Sequence, residues 1–313
     1  MPELPEVQTT VDGINALAKG ASIKDVWTDY GSAFHAGKDD IKDPDFFARF
    51  KKLVRGARIE GAARRAKNVL IALSNGRTVI VHMKMTGHFL YGRYEKRKSG
   101  KDGKEEWLAS GPGPLRDDPF NRHIRLVFIL DNGRHLALSD LRRFAKVTIA
   151  ESDRLHESKH LSESGPEPLD PSFDLQALEA RLARRPQAPI KLALMDHTLV
   201  AGIGNIYSDE ILWRAGVHPL EKAKDVPKGK VALIFAAMKE TLRRGIALGG
   251  DSMSDYRNVL GLEGKFQERH RAYRRTGERC SKAGCKGVIR RIKIGGRSGH
   301  YCDLHQKKRA PKP

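Results

Sequence analysis

A chain of 313 residues with 39% hydrophobic content can bury the cores of two domains, which excludes an intrinsically disordered polypeptide. Its 58 Lys and Arg against 38 Asp and Glu leave a net charge of +20, which makes nucleic acid the expected partner ahead of an anionic membrane surface. The chain has neither a run of about 18 apolar residues nor a signal-peptide pattern, so a soluble, cytoplasmic, nucleoid-associated protein is expected; its three cysteines suit metal ligation rather than a disulfide framework.

The chain opens Met1-Pro2-Glu3-Leu4-Pro5-Glu6. An initiator Met before a small residue is normally trimmed, so the mature protein is expected to begin at Pro2, a secondary amine with two carboxylates behind it. An α-amine has an unperturbed pKa of roughly 7.7–8.0, so part of it is unprotonated and nucleophilic near neutrality. On an aldehyde-like sugar carbon, a secondary amine gives an iminium that stays cationic without a proton and acts as an electron sink for breaking a neighbouring C–O bond. Pro5 suits the first turn of a helix, and Val7, Val11, Ile14 and Leu17 fall on one face behind it. Taken alone, the stretch reads equally well as a helix start whose acids complement the dipole.

Strand-like alternation follows over 57–94: Ala57 to Glu60, Val69 to Leu73, an Asn75-Gly76 turn, then Val79 to His82. A second hairpin is expected from His123 to Leu130 and His135 to Leu138, around Asp131-Asn132-Gly133. Between them, 96–119 is rich in Lys, Gly, Pro and Asp and reads as a mobile surface loop facing DNA backbone. Gly165-Pro166-Glu167-Pro168-Leu169 breaks both patterns and marks a hinge; Phe173–Ala183, Ile190–Leu194, Ile206–Ala215 and Val231–Leu248 read as helices. No internal repeat is evident.

Four stretches could carry chemistry. Arg64-Arg65-Ala66-Lys67 precedes a strand and, by itself, is a solvated basic strand end. Met85, within His82-Met83-Lys84-Met85-Thr86-Gly87, would ordinarily be core. Gly202-Ile203-Gly204-Asn205-Ile206-Tyr207 lacks the third Gly of a dinucleotide fingerprint, which leaves a Gly-rich turn opening onto a helix N-terminus, a setting that suits phosphate. Finally, Cys280 and Cys285 are followed after 16 residues by Cys302 and then His305, two ligand pairs flanking a hairpin, as a tetrahedral Zn²⁺ requires.

Pro-Glu-Leu-Pro-Glu after Met1 resembles the signature start of the formamidopyrimidine-DNA glycosylase family, and matches to that family recur as far as His305. Relatives called endonuclease VIII usually carry Gly where this chain has Leu4, which favours the purine-repair branch. The fold expected is α+β: an N-terminal helix on an antiparallel β-sandwich (1–150), an interdomain hinge (151–172), a helix-two-turns-helix DNA-binding domain (173–269), a β-hairpin zinc finger (270–306) and a basic tail (307–313). The activity implied is that of a bifunctional DNA glycosylase and AP lyase, monomeric, with one structural Zn²⁺ per chain. It would excise 8-oxoguanine and formamidopyrimidines from double-stranded DNA, and act on abasic sites, by β,δ-elimination.

Residue by residue, the resemblance makes Pro2 the nucleophile at C1′, Glu3 the proton donor and Glu6 the support of the amine, with Lys67 reaching the sugar and its phosphate. Met85, Arg142 and Phe144 would fill the space left by the flipped nucleotide. His82 joins them on the DNA-facing side, and His123, Lys191 and Asn205 are expected phosphate contacts. Arg297, five residues before Cys302, would bind the lesion phosphates and assist the second elimination. The chain departs from the family in four places. Ala145 replaces a usual Gly. Pro186 stands where a contact lysine is expected, leaving Arg184 or Arg185 to substitute. The metal set has a wider Cys280–Cys285 spacing and a histidine, His305. Lys265 replaces an aromatic in the base-selecting loop near Asp255–Phe266. A helix start also favours ionised Glu3 whereas a general acid holds its proton, so burial by the bound nucleotide would have to win. Two alternatives remain open: an endonuclease VIII-like activity on oxidised pyrimidines, and a non-catalytic zinc-containing protein that only binds damaged DNA. The intact Pro2, Glu3 and Lys67 speak against the second.

Overall fold

The computed structural model describes residues 1–98, 105–159 and 161–309, so the centre of the 96–119 loop and the end of the basic tail lie outside the described residues. The chain divides into two compact units, one of Met1–Ser162 with Leu248–Lys265, the other of Glu163–Ala247 with the chain from Phe266 onward.

The first unit contains α1 (Leu4–Leu17), β1 (Ile23–Thr28), α2 (Pro44–Val54), β2 (Ile59–Arg65), β3 (Asn68–Leu73), β4 (Arg77–His82), β5 (His88–Gly92), β6 (Tyr94–Lys98), β7 (Glu105–Ala109), α3 (Pro114–Asp117), β8 (Ile124–Leu130), β9 (His135–Ser139) and β10 (Lys146–Glu151). Two antiparallel sheets, ordered β1-β8-β9-β5 and β10-β4-β3-β2, enclose one core. Val26, Phe89, Phe128 and Leu138 of the first sheet share it with Val69, Ile71, Val81 and Val147 of the second. Burying each such side chain is worth about 1.5–3 kcal/mol, and a charge at Val81 would forfeit that and add a desolvation cost. Helix α1 starts at a reciprocal capping box between Glu3 and Glu6, and its Val7, Val11 and Ile14 join the same core.

The expectation of a bare loop at 96–119 is corrected on both sides of its undescribed centre. Strands β6 and β7 pair from Tyr94↔Ala109 to Lys98↔Glu105, and Tyr94, Trp107 and Ala109 pack on Leu90, Ile124, Val127 and Ala137. This hairpin covers the outer face of the first sheet. Strands β5 and β9 are therefore buried at every position, the pattern of a strand covered on both faces. The Lys- and Glu-rich composition hid it, because only a few inward residues per strand are apolar.

The second unit holds α4 (Leu175–Ala183), α5 (Ile190–Met195), α6 (Asn205–Ala215) and α7 (Lys228–Ala247), then the hairpin β11 (Ile289–Ile294) and β12 (Arg297–Cys302). The Asp174 carboxylate caps α4 by accepting the Ala177 N–H at 2.7 Å, and Gly216 ends α6 in the left-handed conformation. Residues 248–265, which the sequence reading leaves with these helices, pack in the first unit, because Val259 is buried in the sandwich core. Among the described residues no helix is long and apolar enough to cross a membrane.

Candidate catalytic and nucleic-acid-binding site

The expected residues fall in both units. In the first, Met1 is exposed while Pro2, Glu3 and Glu6 are buried. The Glu6 carboxylate accepts the Glu3 N–H at 2.7 Å and the Asp251 N–H at 2.8 Å, and the Glu6 carbonyl accepts the Tyr256 hydroxyl at 3.0 Å. Burial holds the Tyr256 phenol well above its ordinary range, so it remains a neutral donor. Sequence reasoning singled out the loop near Asp255–Phe266 but not the contacts of Asp251 and Tyr256 with Glu6, which lie 245 and 250 positions away.

Helix α1 runs along β2. Asn15 bonds the Ala62 carbonyl at 2.9 Å and the Gln8 carboxamide oxygen accepts from Arg64 Nε at 3.0 Å, so moving toward the helix start moves toward the Ala66–Lys67 turn. Lys67 occupies that two-residue turn, half-buried, with Arg65 and Asn68 paired beneath it. The turn thus presents a cation on the side where α1 begins.

Met85 and Phe144 are 39% and 50% exposed, large apolar side chains outside the core, whereas Met83 is fully buried. One buried carboxylate joins their two loops. Asp140 Oδ1 accepts from Thr86 Oγ1 at 2.5 Å, and Asp140 Oδ2 accepts from Tyr30 at 2.7 Å and from the Ala145 N–H at 2.8 Å. Thr86 Oγ1 in turn accepts the Arg142 N–H at 3.0 Å, and the Arg142 guanidinium lies 4.7 Å from the Phe144 ring centre. Met85, Arg142 and Phe144 are therefore displayed together. Ala145 lies outside the set of positive-φ residues, so the turn does not need the glycine usual there. His82, at the end of β4, accepts the Lys84 N–H on Nδ1 at 3.0 Å and so shapes the Met85 loop. His123 is half-buried; burial, then Arg125, lowers its pKa, so it is a neutral imidazole at neutral pH.

In the second unit, Lys191 lies inside the helical domain. It is fully buried, and its ammonium donates to Asp209 Oδ1 at 2.6 Å, Ser208 Oγ at 2.9 Å and the Asn205 carbonyl at 3.1 Å. These bonds fix the start of α6. The other Asp209 oxygen accepts the His300 N–H at 3.0 Å and lies 2.8 Å from His300 Nδ1, which ties α6 to β12. Removing one partner of such a buried pair leaves an uncompensated charge, so Asp209→Ala is expected to cost about 3–5 kcal/mol. The double variant Lys191→Met/Asp209→Ala should be the more stable of the two by urea denaturation; equal stabilities would contradict the coupling.

Asn205 is the first residue of α6, and its Nδ2 donates to Ser298 Oγ at 3.4 Å, beside Arg297. Arg297 is exposed and follows the Gly295-Gly296 turn, where both φ values are positive, 52° and 77°. A side chain at 295 would also meet Leu192 of α5 at 2.8 Å, so the turn seats closely on α5. A helix N-terminus, a carboxamide and a guanidinium are each groups that suit an anion. Arg184 and Arg185 are exposed at the end of α4, with Arg185 3.1 Å from Asp196.

Cys280, Cys285, Cys302 and His305 bring their ligand atoms within 4.8 Å of one another. Cys280 Sγ and Cys285 Sγ lie 3.4 and 3.7 Å from His305 Nδ1, and Cys285 and Cys302 are 3.6 Å apart. Bonds of about 2.3 Å to sulfur and about 2.0 Å to nitrogen predict tetrahedral edges of about 3.5–3.8 Å, which these spacings match. His305 Nε2–H donates to the Trp213 carbonyl at 3.0 Å, which leaves the Nδ1 lone pair facing the three sulfurs.

Residues 1–147 match the family described as the formamidopyrimidine-DNA glycosylase N-terminal domain, and residues 164–257 the formamidopyrimidine-DNA glycosylase H2TH domain. The chain is similar to the formamidopyrimidine-DNA glycosylase of Methylobacterium sp. (strain 4-46), 35% identical over 312 residues, with 98% of this chain and 99% of that protein covered. In fold it is similar to Lactococcus lactis Fpg in complex with abasic-site DNA, with a TM-score of 0.80 and 28% identity, covering 98% of this chain and 100% of that one. It is also similar to MutM in complex with DNA containing carbocyclic 8-oxo-G, with a TM-score of 0.79, 29% identity and the same coverage.

Proposed function

The chain belongs to the formamidopyrimidine-DNA glycosylase family, and from that premise we propose that it excises oxidised purines from duplex DNA and then cleaves the strand through a Schiff base on Pro2. Family membership makes it a base excision repair DNA glycosylase with AP lyase activity. The observation that carries the finer reading is the capped start of α1, where Glu6 is held by two backbone N–H groups directly behind Pro2 and Glu3.

With Met1 removed, the Pro2 nitrogen attacks C1′ of the flipped nucleotide as the glycosidic bond breaks, and Glu3 delivers a proton toward the sugar or the departing base. Opening of the C1′–O4′ bond, with a proton delivered to O4′, turns this adduct into an iminium, which acidifies C2′. Loss of that proton expels the 3′ phosphate, and a second elimination expels the 5′ phosphate. Lys67, in its turn near the helix start, supplies a cation for the sugar phosphate and helps the proton transfer. Asn205 and Arg297 hold backbone phosphates, and Arg297 assists the second elimination. Met85, Arg142 and Phe144 occupy the duplex where the nucleotide has left; flipping costs a few kcal/mol of stacking, which a thioether, a ring and a guanidinium partly replace. Cys280, Cys285, Cys302 and His305 would hold one Zn²⁺, which would fix the hairpin bearing Arg297.

Glu3→Gln keeps the amine but removes the proton donor, so base excision is expected to fall by about 10²–10⁴-fold while cleavage of a pre-formed abasic site is largely retained. A panel of duplexes carrying 8-oxoguanine, a formamidopyrimidine or an oxidised pyrimidine tests the substrate reading in a nicking assay. Excision confined to the oxidised pyrimidine would replace it with the endonuclease VIII-like alternative.

A further inference from the structure

We propose that residues 114–122, within the segment between β5 and β8, are a brace that fixes the loop Leu248–Lys265 as a wall of the catalytic centre, with Arg257 as its pin and positioning residue. The inference rests on the Pro2–Glu6 stretch being that centre. The loop touches it directly. Asp251 donates its N–H to Glu6 Oε1 and Tyr256 its hydroxyl to the Glu6 carbonyl, while a side chain at Gly250 would meet Glu6 Cγ at 2.9 Å. Whatever sets the loop therefore sets one side of Glu6.

Arg257, the next residue after Tyr256, is 4% exposed. Its Nε donates to Asp118 Oδ2 at 2.6 Å, and Nη1 donates to the Ser254 and Tyr256 carbonyls at 3.0 and 2.8 Å. Its guanidinium lies 4.9 Å from the Phe120 ring centre. A guanidinium keeps its proton in proteins, so this buried charge requires a carboxylate. From the loop, Glu263 pairs with it at 2.9 Å from Nη2 but is 58% exposed, whereas Asp118, in the segment between β5 and β8, is 18% exposed. The more shielded counter-charge thus comes from outside the loop.

A second contact is steric and independent of charge. Asn121 Nδ2 donates to the Gly261 carbonyl at 3.0 Å and to the Pro114 carbonyl at 2.8 Å, and Asn121 Oδ1 lies 3.0 Å from His88 Nε2. Gly261 has φ +78°, and a Cβ there would stand 2.6 Å from Asn121 Nδ2 and 3.1 Å from the Leu115 nitrogen. The 114–122 segment and the loop are fitted to one another at Gly261 with no room for a side chain. A wall positioned in this way is in place before DNA arrives, so ordering it does not draw on binding energy.

The test uses full-length, Met1-trimmed enzyme carrying Asp118→Ala or, as a variant acting through space rather than charge, Gly261→Ala. Hydrogen exchange of the free protein is expected to rise about tenfold in 251–264 while the sandwich strands stay protected. Single-turnover excision of 8-oxoguanine is expected to fall about tenfold, with binding of undamaged duplex within about twofold of wild type. Asp118→Glu should restore much of both readouts. Unchanged exchange in the loop, or a loosened loop with wild-type excision, overturns the brace; should Asp118→Ala fail to fold, Gly261→Ala decides by the same readouts. A wild-type enzyme that forms no reducible adduct with abasic DNA would instead overturn the assignment of the catalytic centre, which the exchange data do not touch.

Discussion

A protein that keeps Met1, or carries any uncleaved residue ahead of Pro2, is expected to lose strand cleavage by several orders of magnitude and still bind duplex DNA. Acylation turns the proline nitrogen into an amide whose lone pair is delocalised over the carbonyl, so it can neither attack C1′ nor form an iminium. The fold accommodates the extra residue, since Met1 is exposed while Pro2, Glu3 and Glu6 hold their buried, capped arrangement behind it. Asn205 and Arg297, the proposed phosphate contacts, lie far along the chain from the altered terminus. Comparing a trimmed protein with an N-terminally tagged one, by nicking of an abasic duplex and by gel-shift of the same duplex, checks both halves of the expectation. Full cleavage by the tagged form would exclude Pro2 and move the search for the nucleophile toward Lys67.

Stripping the metal is expected to have an effect of similar size, on binding. The core of the hairpin region is small, built from Cys280, Ile289 and Cys302 with Trp213 and Cys285 packed against it. Such a cluster cannot offset the entropy of ordering its loops, whereas a structural Zn²⁺ supplies about 10–16 kcal/mol of apparent binding free energy at pH 7. Chelation is therefore expected to unfold the segment from Cys280 to His305, release Arg297 and abolish DNA binding, with the N-terminal sandwich retaining its cooperative thermal transition. Elemental analysis of the untreated protein should return one zinc per chain, and His305→Ala should lower that figure together with affinity. Active protein free of metal, or His305→Ala with full zinc content, would contradict the ligand assignment.

Features set by neighbouring residues were legible before any coordinates. The apolar face of α1, the hairpin turn at Asn75-Gly76 and the clustering of Cys280, Cys285, Cys302 and His305 each follow from spacing or from glycine's access to positive φ. What escaped depends on partners distant in sequence. Lys191 reads as a surface cation in Pro189-Ile190-Lys191, and only the approach of α6 shows that Asp209 and Ser208 enclose its ammonium. Asp140 gave no hint that it would join the loops displaying Met85 and Phe144. The hairpin of β6 and β7 has too few inward apolar residues to register as strands, and Val259, the anchor of the 248–265 loop, is buried while the neighbouring Leu260 and Leu262 are exposed, a difference that no sequence period marks. Non-local burial, not propensity, made these elements.

The most direct test of the covalent mechanism is reductive trapping. Incubating the trimmed protein with an abasic or 8-oxoguanine duplex in the presence of borohydride should yield a stable protein–DNA adduct, because reduction of the iminium leaves a tertiary amine that cannot hydrolyse. Digestion and mass spectrometry should place that adduct on the N-terminal peptide at the Pro2 nitrogen. An adduct on an internal lysine, or strand cleavage with no trapped species at all, would contradict the account.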